Sequence, residues 1–200
     1  MEYAFHIYNK LSADGVAIAT DKLLQVDLEK KLAKGVVKGG DVEKPPVIVC
    51  IGSDLVIGDS LGPIVGSMLK YKTQGLKAFI YGTLATPVTA KEIKYIRAFL
   101  KETHAGSQII AVDAAVGAAG DIGLMKLSDA PLAPGAGANK KLGEIGDVSI
   151  IGIVAEKSVA NYGLLNTTRL NLVYSMSERI SDALCSVLWN RAQQKSVKNG

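Results

Sequence analysis

The chain has little of what marks a secreted scaffold, a histidine-rich metal protein or a nucleic-acid binder. It holds two cysteines, two histidines and one tryptophan in 200 residues. Cys50 and Cys185 stand far apart, each inside an apolar run. A disulfide framework needs more cysteines in a smaller chain, so buried, reduced thiols are expected. No stretch reaches the roughly 18 uninterrupted apolar residues that a spanning helix requires. Residues 1–10 carry Glu2, His6 and Asn9 where a secretory leader would place basic and then apolar residues. A cytoplasmic protein without membrane contact is therefore expected. The net charge of +4 is mild, and acidic residues stand between most of the lysines. There is no basic stripe with interleaved aromatics, which argues against a nucleic-acid partner.

What is present is ordinary globular composition, 48% apolar and 21% charged, in a length that suits one well-buried domain. We read 1–200 as a single α/β domain, with a helical segment and linker over 1–44 and a core over 45–190. Leu23, Leu24, Leu28 and Leu32 are spaced for one face of a helix. Gly39-Gly40 and Pro45-Pro46 then break the chain. Val47–Ile51, Ala78–Tyr81, Ile109–Val112 and Val148–Val154 are short continuous apolar runs, as expected of strands buried on both faces. Ile122–Leu127 reads as an added strand that can run antiparallel. Helices are expected over 61–70, after the capping box Thr89–Glu92, and over 168–189. Alternation of strands and helices predicts a three-layer wound, mostly parallel sheet with helices on both faces.

Chemistry is best sought at the carboxyl ends of such strands, where wound sheets place their sites. Gly52–Pro63 leaves one strand and presents Asp59 before a helix. Asp59 is either a helix cap or a working acid. Asp113 ends the apolar run Ile109–Val112, and an acid there is costly unless paired or used. Two carboxylates brought together share a proton: the ionised one takes a proton from water while the other donates. They could instead hold a divalent cation. Pro131–Lys141 is rich in glycine and could form an anion nest, with Lys140 as counter-charge, but lacks a complete P-loop pattern. Arg169 opens the last helix. It either orients a substrate carboxylate or is structural, with Asp59 or Asp113 as partner. Cys50 has no cationic neighbour and is rejected as a nucleophile.

Taken together the motifs resemble those of the spore germination proteases. Gly58-Asp59-Ser60-Leu61-Gly62-Pro63 is similar to their Asp-x-Leu-Gly-Pro segment, Val112-Asp113-Ala114 to their second aspartate, and Pro134–Lys140 to their Pro-Gly-x-Gly-x-Asn-Lys loop. Ser149–Val154 follows in the same order. A more distant likeness is to hydrogenase maturation proteases. A nearer one is to the smaller family of sporulation proteins called YyaC, which also accounts for Tyr81–Leu84, Gly146-Asp147 and Asn166–Leu172. The resemblance implies a phosphorylase/hydrolase-like fold, a sporulation context and a forespore or spore-core location. It also implies a peptide or small spore protein as substrate or ligand. Asp59 and Asp113 would be catalytic, and Thr83, Gly135, Gly137, Asn139, Lys140 and Arg169 would shape or bind substrate. A histidine expected before the Pro-Gly of the glycine loop is replaced by Ala133, so no metal cofactor is expected. His104, at a helix end, is read as a dipole partner rather than a ligand. Two further readings stay open: a non-catalytic protein that binds a peptide or partner chain at the same edge, and assembly as a homo-oligomer.

Overall fold

The computed structural model describes residues 1–36, 44–135, 142–157 and 168–198, with side chains through 194. Its elements are β1 (Glu2–His6), α1 (Ser12–Ala33), β2 (Val47–Cys50), α2 (Leu61–Lys72), β3 (Phe79–Tyr81), α3 (Ile93–Thr103), β4 (Ile109–Gly117), β5 (Leu124–Ser128), β6 (Val148–Glu156) and α4 (Leu170–Lys198). The strands form one sheet in the order β1-β5-β6-β4-β2-β3. Strands β3, β2, β4 and β6 are parallel neighbours. Strand β5 is antiparallel to both β6 and β1. Five strands thus run one way, and the expected mostly parallel α/β sheet is what forms.

The apolar runs explain the layering. All four residues of β2 are buried, because the sheet is covered on both faces there. On one face, Ile48, Cys50, Ile110, Val112 and Ile150 pack with side chains of α1, α2 and α4. On the other, Val47, Val49 and Ala111 meet Ile93 and Leu100 of α3. Three helices therefore cover one face, and among the described helices α3 covers the other. Each fully buried leucine, such as Leu23 or Leu69, contributes about 2 kcal/mol of transfer free energy.

The helix expected ahead of Lys34 is present as α1. Leu23 and Leu24 are buried, but Leu32 is exposed, so the expected leucine face ends one turn early. Residues 2–6, expected within the N-terminal helical segment, are instead an edge strand, paired from Glu2↔Ser128 to His6↔Leu124. Its Tyr3 and Phe5 pack on the main core. Strand and helix together are integral to the sheet and its larger core.

At the amino ends of the parallel strands, charges are tied in pairs. Lys31 of α1 reaches Asp147, just before β6, at 2.7 Å and Asp27 at 3.1 Å. Gln108, just before β4, donates to the Asp27 carboxylate (2.7 Å) and to the Leu24 carbonyl (2.6 Å). Arg191 of α4 donates to Gln108 (2.9 Å) and Asp21 (3.0 Å). This network fastens the first and last helices to the sheet.

Candidate active site

The opposite edge holds the candidate site. From β2 the chain crosses to β3 on one side, then returns past β2 to β4 on the other. The gap between β2 and β4 is therefore the switch point of the winding, where the connections diverge and leave a crevice. Asp59 follows β2 and Asp113 lies on β4, so both acids belong to this crevice.

Asp113 does not end its strand, as the sequence suggested. Strand β4 continues to Gly117, paired with β6 from Ile110↔Val148 to Gly117↔Glu156. What ends at Asp113 is the pairing with β2, which closes with Cys50↔Val112 and the Ile51 N–H bond to the Val112 carbonyl at 2.7 Å. Beyond that point β4 overhangs its shorter neighbour. The side chains of Asp113 and Ala111 lie two residues apart on the pleat, on the α3 side of the sheet.

Asp59 sits in a 3₁₀ turn, Ile57–Ser60, between β2 and α2. No side chain caps α2, so the capping alternative for Asp59 is not realised. Pro63, in the first turn of α2, has no N–H and so removes one of the donors that a cap would satisfy. Leu61 is buried and lies over Gly152 of β6, and Ser177 donates to its carbonyl at 3.2 Å. The Asp59 N–H bonds the Val56 carbonyl at 3.0 Å, and the Ser60 hydroxyl bonds that of Ile57 at 2.7 Å. The turn is thus held from within and from below.

The electrostatics of the two acids differ. Asp113 is half-buried, but its carboxyl is strongly desolvated, and that loss of hydration is the main reason its pKa is held well above the usual carboxylate range. The negative charge of Asp59 pushes it further in the same direction, and a hydrogen bond from the Ala114 N–H (2.8 Å) opposes both. Asp59 is likewise half-buried. Its pKa is raised by desolvation and lowered by the Ser53 backbone N–H. The pair is therefore electrically coupled, with Asp113 the member that holds its proton more tightly.

The other expected site residues are placed less directly. Thr83 follows β3 on the same edge, buried, and its hydroxyl is engaged with that of Thr86 at 3.1 Å, bracing its own loop. Gly135 is in the left-handed region, φ +73°, as a turn glycine should be. Gly137, Asn139 and Lys140 lie outside the described residues. Arg169 is exposed ahead of α4. Among the described residues it forms no ion pair, so the expected pairing with Asp59 or Asp113 is not made. Cys50 is buried, and desolvation pushes its thiol pKa far up, away from any nucleophilic role.

A catalytic zinc would need three protein ligands and an open position. Asp59 and Asp113 supply two. His104 Nε2 lies 2.7 Å from the Tyr81 hydroxyl, with its ring packed against Phe79 and Phe99. His6 Nε2 lies 3.2 Å from the Ile122 carbonyl oxygen. Among the described residues no group of three or more histidine, cysteine, aspartate or glutamate side chains is placed to hold an ion. Among the described residues the donor set is thus one ligand short of a zinc site. Also among the described residues, no helix is long and apolar enough to cross a membrane.

The sequence reading missed the role of Ser53, whose N–H turns back to both the carbonyl and the carboxyl of Asp59. A glycine on its left, Gly52, was the available signal.

Comparison with known proteins bears on most of the chain. Residues 16–183 match the family described as "Protein of unknown function (DUF1256)". The chain is 40% identical over 166 residues to "Uncharacterized protein YyaC" of Bacillus subtilis (strain 168), covering 83% of this chain and 78% of that one. A solved structure, the [NiFe] hydrogenase maturation protease HycI from Thermococcus kodakarensis KOD1, aligns over 74% of this chain and 94% of its own. The identity there is 19% and the TM-score 0.48.

Proposed function

The chain belongs to the DUF1256 family, and from that premise we propose that it is a peptidase-type hydrolase in which Asp59 and Asp113 hold and activate a water. One observation carries this reading. A strongly desolvated carboxyl, whose proton is held more tightly, interacts electrostatically with a second carboxyl that is easier to ionise. Such a split is what acid–base hydrolysis needs.

The steps follow from the split. Asp59 takes a proton from the water as its oxygen bonds to the scissile carbonyl carbon, while Asp113 gives its proton to the carbonyl oxygen. In the collapse, Asp59 passes its proton to the leaving nitrogen, the C–N bond breaks, and a hydroxyl proton returns to Asp113. General acid–base transfer of this kind is worth about 10²–10⁴-fold in rate.

The substrate is an extended peptide, in keeping with exposed Leu55, Ile57, Leu84 and Leu170 in the loops and helix start around the same sheet edge. By resemblance it is a small spore protein, met in the cytoplasm of the forespore or in the spore core. Those apolar side chains equally favour a second reading, in which the edge binds a peptide without cutting it.

Incubation of the purified protein with small acid-soluble spore proteins decides between the two. Hydrolysis is expected, is lost in both Asp59→Asn and Asp113→Asn, and persists in the presence of a chelator. A stable complex without cleavage selects the binding reading. Activity that vanishes with chelation and returns with added zinc would overturn the two-aspartate mechanism.

A further inference from the structure

We propose that Gly52 and Gly62 are positioning residues that fix the distance between the two acids, by closing the loop around Asp59 backbone against backbone. The inference rests on the dyad reading above and adds what sets its geometry.

At Gly52 the backbone has φ +141°, a conformation that side chains rarely adopt. A Cβ there would stand well inside van der Waals contact with the Asp59 carbonyl oxygen, and 3.0 Å from Cδ of Pro63. At Gly62, ten residues on, a Cβ would collide with the carbonyl oxygen of Ile51 and lie 2.8 Å from its carbon and nitrogen. Backbone atoms cannot move aside as a flexible side chain can. The two glycines thus let the ends of the loop cross at the tip of β2.

Hydrogen bonds lock the crossing. Gly52 N–H bonds the Val88 carbonyl at 3.0 Å, and Ser53 N–H bonds the Asp59 carbonyl at 3.1 Å. Ile51 in turn bonds Val112, the residue before Asp113. Asp59 is therefore tied to the Asp113 strand through one short run of backbone. Neither glycine touches water-exposed substrate space or carries a functional group; each acts through Asp59.

The test uses the titration of the Asp113 carboxyl, followed by carbon-13 NMR on the intact chain. It needs no substrate, so a failed clasp and an inactive dyad give different results. In Asp59→Asn the midpoint of Asp113 falls, because the neighbouring charge is gone while burial remains. Gly62→Ala is expected to lower it most of the way to the Asp59→Asn value, although Asp59 is still present. Gly146→Ala is the control. Gly146 also has a positive φ (+90°) and a tight contact with Ala111, but it precedes β6 at the far edge. It is expected to weaken the fold and leave the Asp113 midpoint unchanged. A folded Gly62→Ala with a wild-type midpoint overturns the proposal, as does an equal shift in Gly146→Ala. If Gly62→Ala does not fold, hydrogen exchange in the wild type decides. The Gly52 and Ser53 amides are expected to be protected like that of Cys50, and exchange as fast as Leu55 overturns the clasp.

Discussion

The two edges of the sheet treat partly buried acids in opposite ways. At the amino edge, Asp27 and Asp147 share Lys31, and the Asp147 carboxylate also accepts the Ile109 N–H at 2.8 Å. At the carboxyl edge, Asp113 meets another carboxyl and, among the described residues, no cation. The first arrangement holds helices to strands. The second costs stability, and sites that keep such a cost are commonly functional. A residue's burial does not by itself tell structure from chemistry here; the sign of its neighbours does.

The comparison breaks most visibly in activity. Asp113→Asn and Asp59→Asn keep the shape of each side chain but cannot exchange the proton, so each is expected to cut hydrolysis by about 10²–10⁴-fold. The check is initial-rate measurement on folded variants. An equal loss in Asp147→Asn would erase the distinction between the edges.

At the amino edge the loss should appear in stability. Lys31→Ala leaves two partly buried carboxylates without their cation. It is expected to cost about 2 kcal/mol, below the range for fully buried pairs because some water reaches them. Urea unfolding measures it, and activity of the folded fraction should be unchanged.

The same dyad substitution should move stability the other way. Because the Asp113 pKa is raised, the native state keeps a proton that the unfolded chain has lost. That stabilisation is full below the unfolded carboxylate range, about pH 4, and is lost as pH rises through the native value. Asp113→Asn removes the slope, and near neutral pH it is expected to raise stability by about 1 kcal/mol. Urea midpoints across pH 4–8 follow it, and a variant that retains the wild-type slope would point to another acid.

The smallest effect belongs to Asp129. Hydrogen bonds from Lys30 and from the Met1 ammonium group hold its pKa down at about 2. Its contribution is therefore present above the ordinary carboxylate range and lost as pH falls through that value. The pair is largely at the surface, so Asp129→Asn is expected to shift thermal midpoints by a degree or two at most, and less in high salt.

Much of this contrast was legible in residue order. The runs Val47–Ile51 and Val148–Val154 are apolar on both faces, and only a covered parallel sheet accommodates that. Asp59 and Asp113 were visible as acids following such runs. The end of β4 was not: Asp113 looked like a terminator, but Ala114, Ala115 and Val116 go on pairing with β6. Strand β1 was hidden because its five residues hold only Tyr3 and Phe5 as large apolar groups, and its partner stands more than a hundred positions away. Arg169 stands at the start of the last helix as expected, but the carboxylate partner offered for it is not among its ion pairs in the described residues. Charge type suggests a partner, but reach depends on backbone path, which spacing alone does not give.

The placement of β1 and α1 also orders events during synthesis. Glu2 must wait for Ser128 before it can pair, and Asp21 meets Arg191 across 170 positions. While the ribosome is still extending the chain, Val16, Leu23 and Leu24 therefore have no finished surface to cover. High separation between contacting residues slows folding, and exposed apolar helices invite association in the interval. The first helix made cannot complete its contacts until the last one, α4, has been synthesised.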